Sequence, residues 1–290
     1  MDNGAGVSDV LLGIDHLVHA VDDLESCAAA FRKLGFTLTP RGRHRNMATG
    51  NYCIMFPDDY IELMGIVAPD KPDRGLRDRM AAQGQGLDRC AFAVADVDAA
   101  FATLSAAGFR TRGPLDLRRP LELPEGEVEP RFRLIQFDGG EMPLLNGFIC
   151  YHDTPEITRR PDWLKHANGV TRIVGLFALA DKAADVQPQW ERVLGRSAVT
   201  TSDAGVHLTL GKHRIDLIDR GAFPTVLPEL PVDDLPKVDR MVGMVLAVDD
   251  IAVTKDVLAK NGVRFIAQQD GTLLVPASET GGSVIVFMAG

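Results

Sequence analysis

The chain repeats one pattern four times: a strand-like apolar run ends in an acidic turn, a helix pattern follows, and the helix stops at a glycine. The copies read GIDHLVHAVDDLESCAAAFRKLGF, RCAFAVADVDAAFATLSAAGF, VTRIVGLFALADKAADVQPQWERVLG and VGMVLAVDDIAVTKDVLAKNGV. In three of them the residue after the acidic turn lies 11 positions before the glycine: Leu24 and Gly35, Val97 and Gly108, Ile251 and Gly262. Leu24, Cys27, Ala28, Phe31 and Leu34 fall on one face at helical spacing, which predicts a helix over Leu24–Leu34. Gly35 then supplies a left-handed cap that other residues adopt at a cost.

Short strand patterns follow each glycine. The first copy continues with FTLTP, NYCIMF and YIELMGI, the third with SAVTTS, GVHLTLG and HRIDLID, the fourth with VRFIAQ, GTLLVPA and GSVIVFM. The second has FRTRG and RFRLIQF, separated by a proline- and glutamate-rich insertion, LRRPLELPEGEVEP. A lone βαβββ unit leaves one sheet face uncovered, so units must pair. The expected fold class is α+β, with four βαβββ modules paired into two curved mixed β-sheets. Each sheet carries its helices outside and encloses a cup suited to a ligand.

A length of 290 residues suits two cores rather than one. The segment YHDTPEITRRPDWLKHANG is the expected boundary, giving an N-terminal domain over 1–155 and a C-terminal domain over 156–290. Prolines 224, 228, 231 and 236 predict a connector without regular structure between the last two modules.

The net charge of −9 argues against nucleic acid, which needs a clustered excess of Lys and Arg. No apolar run is long enough to span a bilayer, so no membrane is expected. Cys27, Cys53, Cys90 and Cys150 are scattered without a CxxC pair. With no signal-peptide pattern at the N-terminus, a reducing cytoplasm is the expected compartment.

GIDHLVHAVDDL, followed about forty residues later by YIELMGI, resembles the vicinal oxygen chelate superfamily. TPRGRH, GNYCIMF and FICYHDTPE…HANG narrow the resemblance to its glyoxalase-like domain proteins. The resemblance implies a small-molecule substrate whose oxygens are chelated by a divalent metal. That metal is held by a His in the opening strand of a module and a Glu in its last strand, with a paired module supplying the rest.

Carried over position by position, His16 and Glu62 are the implied ligands. His152 is the third, two residues from Cys150 and so on the same strand face. Two imidazoles and a carboxylate suit Zn, Mn, Ni or Fe(II). Glu62 is also a candidate general base, and His44 a candidate catalytic residue. Asn51, Arg89, Cys150 and His166 are candidates for substrate binding.

Each residue has a plainer reading. His16 could be a core histidine bonded to backbone, and Glu62 could pair with an arginine, Arg89 above all. His44 and Asn51 could belong to a solvated turn, and His152 and His166 to loops. Cys150 could be buried packing. Arg89 stands where the second module's His belongs, and an arginine cannot ligate metal. In the second half Arg172 and Gly243 take the His positions, and Asp216 and Val286 the carboxylate positions. His207 and His213 are expected at the surface, and His19 in a structural or exposed position.

The implied function is a metal-dependent lyase or isomerase acting on a small oxygen-rich molecule. The alternatives are a metal-free binding protein of the bleomycin-resistance type and, should the first half hold iron, an extradiol-type dioxygenase. Cross-chain pairing in this superfamily implies a homodimer.

Overall fold

The computed structural model describes residues 7–228, 230 and 236–290. The first half contains β1 (Gly13–Val21), α1 (Leu24–Lys33), β2 (Gly42–Arg43), β3 (Thr49–Met55), β4 (Tyr60–Ile66) and α2 (Leu76–Gln83). It continues through β5 (Gly86–Ala93), α3 (Val97–Ala106), β6 (Thr111–Arg118), β7 (Leu121–Leu123), β8 (Gly126–Val128), β9 (Arg131–Phe137), β10 (Phe148–His152) and α4 (Pro155–Thr158). The second half has β11 (Val170–Ala180), α5 (Gln187–Leu194), β12 (Val199–Ser202), β13 (Gly205–Leu210), β14 (His213–Asp219) and α6 (Phe223–Val226). It ends with β15 (Arg240–Val248), α7 (Ile251–Lys260), β16 (Ile266–Ala267), β17 (Leu273–Val275) and β18 (Val284–Ala289). Among the described residues, no helix is long and apolar enough to cross a membrane.

The fold class is α+β, with two mixed sheets of 10 and 8 strands. The repeat dictates a common wiring. In every module the opening strand lies parallel to the last one: β1 with β4, β5 with β10, β11 with β14, β15 with β18. Modules pair through their opening strands, β1 against β5 and β11 against β15, both antiparallel. The acidic turns are helix N-caps. Asp23, Asp96 and Asp250 each accept backbone N–H groups from the first turn of α1, α3 and α7. Gly35, Gly108 and Gly262 close those helices at φ 94°, 73° and 64°.

The helix-facing sides of both sheets share one continuous apolar core that includes Phe31, Phe92, Trp190 and Phe287. The cups differ. Val18, Ala91, Phe132, Leu134, Phe148 and Cys150 form the apolar lining of the first. The second is filled by Phe177, Phe223, Leu227 and Leu230, with α6 as the plug. Gly243 faces the Phe177 ring so closely that a Cβ there would collide with it. The proline connector is therefore not wholly irregular. Pro224 sits in the first turn of α6, where a missing N–H leaves no bond unmade. Pro231 lies outside the described residues.

Two more elements depart from the sequence expectation. FTLTP forms no strand, because the Thr37 N–H and hydroxyl bond to His166 and Lys165 of the inter-half segment. The insertion becomes the tip of a long ribbon in which β6 leads into β7 and β8 into β9. The base of that ribbon pairs with β10, and its tip pairs with β2 at Gly42 and Leu121. Only Arg119 and Pro120 separate β6, at one edge of the sheet, from β7, near the other. The ribbon thus links the two edges of the sheet.

The halves are joined by buried polar bonds. The Ile14 N–H donates to His213 Nδ1 at 3.1 Å, and His213 Nε2 faces Asp59 Oδ2 at 3.4 Å. The Ile173 N–H donates to the other Asp59 oxygen at 3.0 Å. His213 is 3% exposed and Asp59 is fully buried, so His213 is not the surface residue its sequence context suggests. His213→Ala should lower the free energy of unfolding by about 2–4 kcal/mol, because it opens a cavity and orphans two buried groups. Lys212→Ala, at a mostly exposed ion pair, should change it by less than about 1 kcal/mol. Equal denaturant midpoints for the two variants would refute this role for His213.

Candidate functional site

The first cup holds a cavity of about 110 Å³ lined by His16, His44, Tyr60, Glu62, Arg89, Arg119 and Cys150, among others. Its geometry starts from a bulge in β1. Ile14 pairs with Phe92 and His16 with Ala91, leaving Asp15 as the extra residue. The bulge breaks strict alternation. Ile14 joins the helix-side core with Leu17, while His16 and Val18 line the cavity. Ile14 therefore does not share a face with His16, as simple alternation along β1 would have it.

Asp15 is 4% exposed and lies between two imidazoles. His16 Nδ1 is 2.6 Å from Oδ1, and His152 Nε2 is 3.2 Å from the same carboxylate. Burial alone would raise the Asp15 pKa. The neighbouring imidazoles, His152 first and then His16, outweigh it and hold the carboxyl well below the usual carboxylate range. An ionised carboxylate only accepts, so His16 carries its proton on Nδ1 and presents the Nε2 lone pair. His16 also stacks on Tyr60, with ring centroids 4.3 Å apart, which fixes the ring plane.

The lone pair faces Glu62. His16 Nε2 is 3.7 Å from Glu62 Oε2, and His44 Nε2 is 3.7 Å from Oε1. His44 Nδ1 is held by Thr49 Oγ1 at 2.8 Å. Burial pushes the His44 pKa down, against the pull of Glu62, and favours the neutral ring. Burial also works to raise the Glu62 pKa, but His44, His16 and Arg119 outweigh it and lower the value. Two imidazole nitrogens thus flank the ionised Glu62 carboxylate, one at each oxygen, and each is oriented by a group behind it. That donor set fits a divalent cation, with His16, His44 and Glu62 as the residues that would hold it.

Other expected residues occupy different places. His152 does not join Glu62. Its Nε2 proton is committed to Asp15, and its Nδ1 is buried without a partner. Among the described residues, the one group of three ligand-type side chains meeting within 4.8 Å is Asp15, His16 and Cys150. Asp15 is occupied by the imidazoles, and burial pushes the Cys150 thiol well above its ordinary pKa. Asn51 is buried and donates to Glu62 Oε1, so it holds the carboxylate and does not line the cavity. His166 accepts from the Thr37 N–H and donates to the Met55 carbonyl, away from the cavity.

Arg89 lines the cavity, but among the described residues no carboxylate lies within 4.0 Å of it, so the Arg89–Glu62 pair does not form. Its guanidinium lies over the Phe148 ring at 4.1 Å. His19 is fully buried, with its pKa pushed down to about 4 by burial.

Strand register identifies the counterparts of His16 and Glu62. Val18 pairs with Glu62 and Phe177 with Asp216, so Gly175, not Arg172, occupies the third module's His position. Phe148 takes the second module's carboxylate position opposite Ala91. His207 is half-buried between Ser202 and Asp216, not free at the surface.

Sequence reasoning missed Asp15, Arg119 and α2. The signal for Asp15 was a carboxylate beside His16 within an apolar strand. Arg119 was one basic residue in an insertion, and LRDRMAAQ carries no amphipathic pattern, although α2 and its lead-in give the cavity Arg74, Leu76 and Arg79.

No curated protein matches this sequence. Among solved structures, a hypothetical protein from Staphylococcus aureus is similar at 13% identity and a TM-score of 0.66, over 96% of this chain and 99% of that one. The Mn(II)-bound glyoxalase from Novosphingobium aromaticivorans gives 14% and 0.55, over 97% and 82%. A 4-hydroxymandelate synthase mutant from Streptomyces coelicolor gives 11% and 0.56, over 96% and 92%. At these identities the likeness is one of fold. A family model described as the glyoxalase-like domain matches residues 14–194, more than half of the sequence, and the chain therefore belongs to that family within the vicinal oxygen chelate superfamily.

Proposed function

We propose that this protein is a metal-dependent enzyme performing lyase or isomerase chemistry on a small oxygen-rich molecule. The observation that carries the reading is the convergence of His16 Nε2 and His44 Nε2 on the two Glu62 oxygens, at 3.7 Å each, inside a cavity. The Mn(II) named for one structural neighbour supports a divalent metal as cofactor. Bound among these three residues, such a cation would supply Lewis-acid polarisation of a substrate carbonyl or stabilisation of an oxyanion.

The chain's own groups prepare the rest. Asp15 fixes the His16 tautomer, and Thr49 and Asn51 orient His44 and Glu62. Glu62 is ionised and can take a proton at a carboxylate oxygen. Phe132, Leu134 and Phe148 wall the cavity with apolar surface, which lowers the local dielectric and strengthens each polar contact. A metal-free binding protein is the second reading. It is favoured by Arg89 standing in the second module's His position and by the Phe148 that replaces its carboxylate.

Metal analysis separates the two. Protein purified without chelator should carry about one equivalent of divalent metal, lost in His16→Ala and in Glu62→Gln but retained in His152→Ala. Substoichiometric metal that is indifferent to His16→Ala would leave the binding protein. Asp15→Asn should weaken metal affinity by about 10–100-fold, measured by chelator competition, with the far-ultraviolet circular dichroism unchanged. Wild-type affinity in that variant would show that Asp15 does not orient the ligand.

A further inference from the structure

The cavity holds more positive charge than it needs for its own acids. Arg74, Arg79, Arg89 and Arg119 line it, against Glu62 and Asp73. Arg79 is spent on Asp88, through two bonds of 2.8 and 2.9 Å, and Asp73 on Arg77 at 2.9 Å. Among the described residues, no carboxylate lies within 4.0 Å of Arg119 or Arg89.

Arg119 is the sharper case. It is 5% exposed, and among the described residues its Nε has no hydrogen-bond partner and its Nη1 donates to Cys53 Sγ alone. Cys53 is a buried free thiol and not a carboxylate. A guanidinium remains protonated under all such conditions. A buried cation without a bonded anion is strongly unfavourable, and a ligand oxyanion is the simplest group to satisfy it. A metal ion on Glu62 would remove even that more distant countercharge. Arg119 lies between β6 and β7, where the chain crosses from one edge of the sheet to the other, and it lines the cavity.

We propose that the substrate carries an anionic group, a carboxylate or a phosphate, which docks on Arg119 with Arg89 as a second donor. Its remaining oxygens then reach the pole formed by His16, His44 and Glu62. The inference rests on the reading of this cavity as the reactive site, and it narrows the substrate class to small organic anions.

Calorimetric titration of the full-length protein, freed of metal and at low ionic strength, tests it with three probes: succinate, inorganic phosphate and the uncharged succinamide. At least one anion should bind while succinamide does not, and whichever anion binds tighter identifies the charged group. Arg119→Gln should weaken that anion at least roughly tenfold, and Arg89→Gln should weaken it less. Because the titrated protein is freed of metal, failure of the metal reading does not count as failure of this one. The proposal is overturned if succinamide binds as well as succinate, if neither anion binds, or if Arg119→Gln binds like the wild type. Should Arg119→Gln fail to fold, wild-type affinity decides. A decline with added sodium chloride supports the proposal, and a flat response sinks it.

Discussion

The site depends on one buried carboxylate held between two imidazoles. Asp15 occupies a bulge that inserts one residue into a central strand, and this turns it to the same side as His16. Without the bulge, Asp15 would point into the helix-side core, where an unpaired carboxylate is untenable. With it, Asp15 fixes which His16 nitrogen carries the proton and aims the other at Glu62. His152 holds the far side of Asp15. The first cup is thus organised from behind, by residues that meet no ligand themselves.

Much of this architecture is legible in the sequence, because the repeat carries its own physics. Asp23, Asp96 and Asp250 are caps, and the glycines after them are left-handed stops, so the helices could be placed to within a residue or so. The family resemblance pairs His16 with Glu62, and the two do face each other. The register of β11 was not legible. Its pairing with β14, with Phe177 opposite Asp216, puts the third module's His position at Gly175 instead of Arg172. Nor could alternation reveal the bulge at Asp15, since a one-residue insertion erases the pattern that alternation relies on. Arg119 was hidden for a different reason. Its importance comes from a ribbon that joins the two edges of a sheet, and no local pattern records a contact between edges.

The two halves share a wiring but not a use. In the first cup, apolar walls surround polar groups that point inward. In the second, Phe177 and Phe223 occupy the equivalent space, and Gly243 gives the Phe177 ring the room that a side chain would deny it. Filling that cup turns a binding cavity into core, which favours stability and removes any need for ligand residues there. Asp216, the counterpart of Glu62, now bonds to His207 and Arg214 instead.

A duplicated half that has surrendered its chemistry would ordinarily be free to drift or be lost. Here it is not, because His213 reaches across to accept the N–H of Ile14, the residue that leads into the bulge. Selection acting on the cavity in one half therefore extends to a strand of the other that does not line it. Lineages descended from such a gene should vary freely along β12 while guarding positions 213 and 59, and cutting the chain between its halves would forfeit the support of the first cup as well as half of the mass.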